Sequence, residues 1–231
     1  MTLKLYFHPF SSFCQKVLIA LYESDTPFER EIVDLMNPAS AAAFKKMWPI
    51  GKFPVLRDES TDQTIPESSI IIEYLAEHYP GRSELVPRDR DLAREVRFSD
   101  RFFDLYVQLP MQKIVADRFR PEGESDSHGI EQARNQLRTA LGVIEHKLVS
   151  KTWAIGDSFT MADCAAAPAL FYANLAVPFD KDYKQAASYL DRLMQRPSFA
   201  RCIEEAKPYR QFFPIKEADW SFAQAEASFA T

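Results

Sequence analysis

Strand signals stop at Tyr79-Pro80-Gly81-Arg82-Ser83, and that break constrains the fold more than any other feature of the chain. Before it, short alternating runs and helical stripes succeed one another. After it, every apolar pattern has a helical period. A Pro-Gly step among polar residues, with Pro87 close behind, is the composition of an interdomain connection. With 231 residues there is room for two modest domains. The expected architecture is an α/β domain over residues 1–80 followed by an all-α domain over residues 88–231.

Within the first part, Leu3, Leu5 and Phe7 alternate with Lys4 and Tyr6, the period of a strand. Phe13, Cys14, Val17, Leu18 and Leu21 then recur at helical spacing and give one apolar face from about Ser12 to Ser24. A second strand is expected over Phe28 to Val33, a short helix over Ala39 to Trp48, and a third strand from Pro54. A fourth, short strand at Thr64-Ile65 leads into a helix opened by Pro66-Glu67-Ser68 and carrying Ile70, Ile71, Tyr74 and Leu75. In the second part a long helix runs from Leu92 to Phe119, where Pro110 should kink it or end it one turn early. Another follows over Ile130 to Val149. Phe159-Thr160-Met161-Ala162-Asp163 reads as a capping box, with Thr160 the cap, opening an almost wholly apolar helix that belongs at the centre of the domain. Two amphipathic helices, near Lys184–Gln195 and Ser198–Lys207, precede a tail rich in aromatics: Tyr209, Phe212, Phe213, Trp220, Phe222 and Phe229. So much aromatic surface is expected to fold back over the molecule.

The stretch His8-Pro9-Phe10-Ser11-Ser12-Phe13-Cys14 places two hydroxyls where a strand ends and a helix begins. A helix N-terminus carries unpaired N–H groups and the positive end of the macrodipole, so it stabilises an anion. A serine there either caps the helix or donates a hydrogen bond to a bound thiolate or oxyanion.

Net charge is −5 with a pI near 5.5, which argues against a nucleic-acid footprint or attraction to anionic membranes. Arg88, Arg90, Arg94 and Arg97 are interleaved with Asp89, Asp91 and Glu95, as on a solvated helix face. No run approaches the ~18 apolar residues of a membrane span, and Met1-Thr2-Leu3-Lys4 does not begin a signal peptide. Cys14, Cys164 and Cys202 are spaced for neither a disulfide framework nor a zinc site, so a cytoplasmic location and no bound metal are expected.

Four segments in this order and spacing resemble the cytosolic glutathione S-transferases, along essentially the whole chain: Ser11-Ser12-Phe13-Cys14, Gly51-Lys52-Phe53-Pro54-Val55-Leu56, Glu67-Ser68, and Phe159-Thr160-Met161-Ala162-Asp163. The resemblance is to serine-type members, theta- or zeta-like and of bacterial character. It implies a thioredoxin-like N-terminal domain, an all-helical C-terminal domain and a homodimer. It also implies glutathione as co-substrate, an apolar electrophile as second substrate, and a role in detoxification, with no nucleic-acid or membrane partner. By that resemblance Phe53 precedes a cis Pro54 and pairs its backbone with the cysteinyl backbone of glutathione. Glu67 and Ser68 hold the γ-glutamyl end, and Lys52 stands where a cation reaches the glycyl carboxylate. Ser11 is the expected thiolate donor with Ser12 as the helix cap, although another registration exchanges their roles. Tyr6, the candidate for a tyrosine-type mechanism, lies too early in the strand and on its opposite face. The electrophile site is expected from Pro9, Phe10, Tyr106, Met111 and Val115, with Phe212 or Phe213 from the tail. Two alternatives stay open at this point: thiol–disulfide exchange through Cys14, and a non-catalytic glutathione-binding or regulatory protein on the same fold.

Overall fold

The computed structural model describes residues 3–179, 181–216 and 218–224. It opens with β1 (Leu3–Phe7), α1 (Ser12–Glu23), β2 (Glu29–Ile32) and α2 (Pro38–Met47), then β3 (Val55–Asp58), β4 (Gln63–Pro66) and α3 (Ser68–His78). The strands form one mixed sheet in the order β2-β1-β3-β4. β1 pairs in parallel with β2 and antiparallel with β3, so Leu5 stands opposite Arg30 on one side and Leu56 on the other. Leu3, Leu5 and Phe7 are buried, as their alternation requires. β2 is an edge, and its exposed Glu29, Arg30 and Glu31 discourage pairing with a further strand.

The β3–β4 hairpin turns on a buried carboxylate. Asp58 accepts hydrogen bonds from Ser60 N–H (2.8 Å), Ser60 Oγ (2.6 Å), Tyr74 OH (2.8 Å) and Tyr79 OH. Burial pushes its pKa up, but the donors from Ser60, Tyr79 and Tyr74 outweigh burial and hold it well below the usual carboxylate range.

α1 departs from the single apolar face read in its sequence. Every residue from Cys14 to Leu21 is buried, including Gln15 and Lys16. The helix packs on α3 in its own domain and on α7 (Met161–Ala176) and α9 (Pro197–Ala206) of the next. A stripe rule describes a helix covered on one side, whereas this one is covered all round.

The helical domain comprises α4 (Arg90–Phe102), α5 (Leu109–Asp117), α6 (Ser127–Lys147), α7 (Met161–Ala176), α8 (Lys184–Met194) and α9 (Pro197–Ala206). α4 and α5 are joined by a π-helical turn, Phe103–Gln108, in which Leu109 N–H bonds to Asp104 O, five residues back. The expected break at Pro110 is thus absorbed rather than expressed: the wider turn just before it lets the helix continue past a residue that lacks an N–H. Almost every residue of α7 is buried. At its start the Asp163 carboxylate takes Thr160 N–H (2.8 Å), Ala154 N–H (2.8 Å) and Tyr189 OH (2.5 Å), tying three segments to one helix end.

The tail does fold back. Phe213 is buried, with its ring 6.2 Å from that of Phe10 and 5.4 Å from that of Trp220, and Phe222 lies 5.4 Å from Phe171. Phe229 falls outside the described residues. Among the described residues no helix is long and apolar enough to cross a membrane.

Candidate functional site

Two cavities meet where β1 gives way to α1, and Ser11 and Phe53 line both. Ser11 is the N-cap of α1, and its Oγ accepts from Cys14 N–H at 3.4 Å. This corrects the cap expected for the pair: Ser11 caps, and Ser12 is the first residue inside the helix. Capping does not consume Ser11, because an oxygen that accepts an amide proton still has its own proton to donate. The first turn of α1 holds no acidic residue, so the helix does not itself compensate its positive end.

The first cavity, about 750 Å³, is the polar one. It gathers Lys52, Phe53, Pro54, Glu67 and Ser68, all five residues named for glutathione from the resemblance. The Phe53–Pro54 peptide is cis. Glu67 stands before α3 with φ 70° and makes no side-chain capping bond. Plain capping therefore does not explain it, and a left-handed conformation in a residue with a side chain costs about 1–3 kcal/mol. Among the described residues neither Glu67 nor Lys52 is committed to an ion pair. One free carboxylate and one free ammonium thus edge the same cavity.

Its floor is charged, a feature not read from the sequence. Lys16 on α1 reaches Asp100 Oδ1 (2.6 Å), Asp104 Oδ2 (2.8 Å) and Ser69 Oγ (2.8 Å). Ser69 Oγ in turn donates to Asp100 Oδ2 at 2.6 Å. Burial pushes the Asp104 carboxyl up, opposed by the Lys16 ammonium beside it.

The second cavity, about 550 Å³, is largely apolar. Phe10, Met111, Val115, Phe212 and Phe213 line it, together with Phe119 and Tyr172, which the sequence reading did not assign to it. Tyr106 and Pro9 do not. Tyr106 is 46% exposed and packs on Phe102 with ring centroids 5.4 Å apart. It stands two residues from the lining residue Gln108, hence on another side of the helix. Pro9 is buried, and its carbonyl accepts from Gln15 Nε2 at 2.9 Å. Tyr172 closes the same corner, accepting from Gln15 Nε2 (3.0 Å) and donating to Phe10 O (3.3 Å). Tyr6 lies away from both cavities, against Phe44.

Cys14 is fully buried, and burial pushes its thiol up to about 12 despite the contacts with Ser11 and His8. A thiol so placed supplies no thiolate near neutral pH, which disfavours exchange chemistry through it. Burial pushes the His8 imidazole down, consistent with a neutral ring whose Nδ1 accepts Phe10 N–H at 3.2 Å. Among the described residues no group of three His, Cys, Asp or Glu side chains is arranged to hold a metal ion.

Residues 5–83 match the glutathione S-transferase N-terminal domain and residues 102–197 the glutathione S-transferase C-terminal domain. A glutathione S-transferase of Pseudomonas putida is 28% identical over 210 residues, 88% of this chain and 92% of that protein. A glutathione S-transferase of Methylobacillus flagellatus, solved with glutathione bound, superposes with a TM-score of 0.78 at 28% identity over 87% of this chain and 98% of that one. One from Rhodospirillum rubrum does so with a TM-score of 0.80 at 28% identity, over 96% of this chain and 98% of that one.

Proposed function

The chain belongs to the glutathione S-transferase family, and from that premise we propose that it is a glutathione transferase of the serine type, using Ser11 to hold the thiol of glutathione as a thiolate. The observation that carries this reading is the junction of a polar and an apolar cavity at one half-exposed serine. Glutathione occupies the polar side. Its γ-glutamyl ammonium pairs with Glu67 and its carboxylate with Ser68 and the first N–H groups of α3. Its cysteinyl backbone meets Phe53, and Lys52 faces the glycyl carboxylate.

A free thiol with pKa about 8.5 is mostly protonated at neutral pH. Lowering that value by about two units takes roughly 2.7 kcal/mol. A hydrogen bond to a charged group contributes about 1.5–3 kcal/mol, and the end of α1 up to about 1 kcal/mol more. These two are sufficient. The thiol proton leaves to solvent and the thiolate sulfur forms a bond to an electrophilic carbon in the apolar cavity; the electron pair of the bond that breaks goes to the departing halide or, with an epoxide or isothiocyanate, to the adjoining oxygen or nitrogen, which then takes a proton from solvent. We further propose that residues 1–80 act as the glutathione domain and 88–231 as the electrophile domain. The assembly is a homodimer working in the cytoplasm, in detoxification.

Calorimetric glutathione titration followed by conjugation rates over aryl halides, epoxides and isothiocyanates tests the reading. Micromolar to millimolar binding with turnover of at least one class is expected. Binding without turnover of any class contradicts it.

A further inference from the structure

Gln108 was singled out by no sequence pattern, yet the π-helical turn before α5 carries it into the wall of the apolar cavity, directly behind Ser12. We propose that Gln108 is a positioning residue for thiolate formation: its amide holds the Ser12 hydroxyl so that the proton points into the cleft, making Ser12 a second donor to the glutathione sulfur beside Ser11. This rests on the transferase reading above.

Three observations converge. Gln108 is 2% exposed, and its Nε2 donates to Ser12 Oγ at 2.5 Å across the domain boundary. Its Oε1 is buried with no hydrogen-bond partner among the described residues. An apolar side chain of the same shape would avoid that unpaired carbonyl, so stability alone does not account for a glutamine here. It is also the last residue of a π-helical turn, a local geometry that recurs at functional sites.

The chemistry of the hydroxyl completes the argument. A serine oxygen has one proton to give and lone pairs to receive. Cys14 N–H bonds to the oxygen of Ser11, and the Gln108 amide bonds to the oxygen of Ser12. Neither bond uses the hydroxyl proton, so each serine can still donate to an occupant of the cavity that both line. The first domain supplies the two hydroxyls, and the second domain sets the direction of one.

The test titrates the thiol of bound glutathione, from the ultraviolet absorbance of the thiolate and from the pH profile of kcat/KM. Wild type is compared with Ser12→Ala, Gln108→Met, Gln108→Glu and the Ser12→Ala/Gln108→Met pair. Ser12→Ala and Gln108→Met should each raise the thiol pKa by about one unit, with glutathione affinity unchanged only at pH low enough to keep the thiol protonated, and the pair no further than either. Gln108→Glu, whose carboxylate only accepts, should draw the Ser12 proton to itself and raise the pKa at least as far. Gln108→Met, similar in size and uncharged, carries the test if Gln108→Glu does not fold. The proposal is overturned if Gln108→Met lowers melting temperature while leaving the thiol pKa in place, if it lowers that pKa, or if its effect adds in full to that of Ser12→Ala. A wild type that binds no glutathione overturns the transferase reading itself, and the proposal with it. A normal wild type with an inert Gln108 overturns the proposal alone.

Discussion

The Lys16 ammonium lies 2.6 Å from Asp100 Oδ1 with both side chains 1% exposed, so an ion pair out of reach of water joins the serine-bearing helix to the second domain. Asp104 and Ser69 complete the cluster. Such a pair is weak evidence of net stabilisation, because desolvation offsets the Coulomb gain, but removing one partner strands the other. Lys16→Met leaves two buried carboxylates facing each other and should cost about 3–5 kcal/mol in urea unfolding. A loss under about 1 kcal/mol would show the cluster to be dispensable.

Asp58 gives the fold a defined acid sensitivity. Its native pKa lies below its unfolded value, so its contribution is present above the ordinary carboxylate range and is lost as pH falls through that range toward the native pKa. Asp58→Asn should destabilise by roughly 2 kcal/mol at pH ~7, from the charge-assisted hydrogen bonds it loses. The gap between variant and wild type should narrow as pH falls below about 4, toward the native pKa. Unfolding curves over this range decide it, and a gap that does not change with pH contradicts the assignment.

Cys14 should be chemically silent. With its thiol buried and pushed up to about 12, iodoacetamide should leave it unmodified in the native protein. Cys14→Ala should keep conjugation within about twofold of wild type. Rapid native-state alkylation with loss of activity would restore the exchange reading.

What was legible in the chain follows from the range of the interactions involved. The strand alternation at Leu3–Phe7, the capping pair Thr160 and Asp163, and the helix start at Ser68 are set by neighbours within a few residues, and each is found where its pattern places it. The polar cavity was legible because its residues sit at helix starts and turns with chemistry of their own. Lys16, Gln15 and Gln108 were not. Each is a polar residue on a helix with a partner in the other domain, and no local period announces a partner 84 to 157 positions away. Tyr106 was misplaced for a related reason. Its aromatic ring suggests a substrate wall, but facing is decided by helical phase, and the residues in phase are Gln108, Met111 and Val115. The cap fell on Ser11 rather than Ser12 because adjacent serines at a strand-to-helix turn are equally good caps, and only the backbone tells them apart.

Phe212 separates electrophile binding from stability. It lines the apolar cavity yet is 62% exposed, so little packing depends on it. Phe212→Ala should change unfolding free energy by no more than about 0.5 kcal/mol. The KM for an apolar electrophile should rise about three- to tenfold while glutathione affinity stays unchanged, from the loss of roughly 1 kcal/mol of apolar burial. Unaltered KM across a panel of apolar electrophiles would remove the tail from the substrate site.

Ser11 bears the central claim, and the ionisation of enzyme-bound glutathione tests it most directly. Thiolate absorbance is followed against pH for wild type and Ser11→Ala, with unfolding measured alongside because loss of the cap costs about 1 kcal/mol. Since the thiolate is the reactive form, kcat/KM should rise with pH through the bound thiol's pKa. In Ser11→Ala both that midpoint and the absorbance midpoint should move up by about one to two units, with glutathione still bound. A folded Ser11→Ala protein that binds glutathione and ionises its thiol at the wild-type pH would contradict the account.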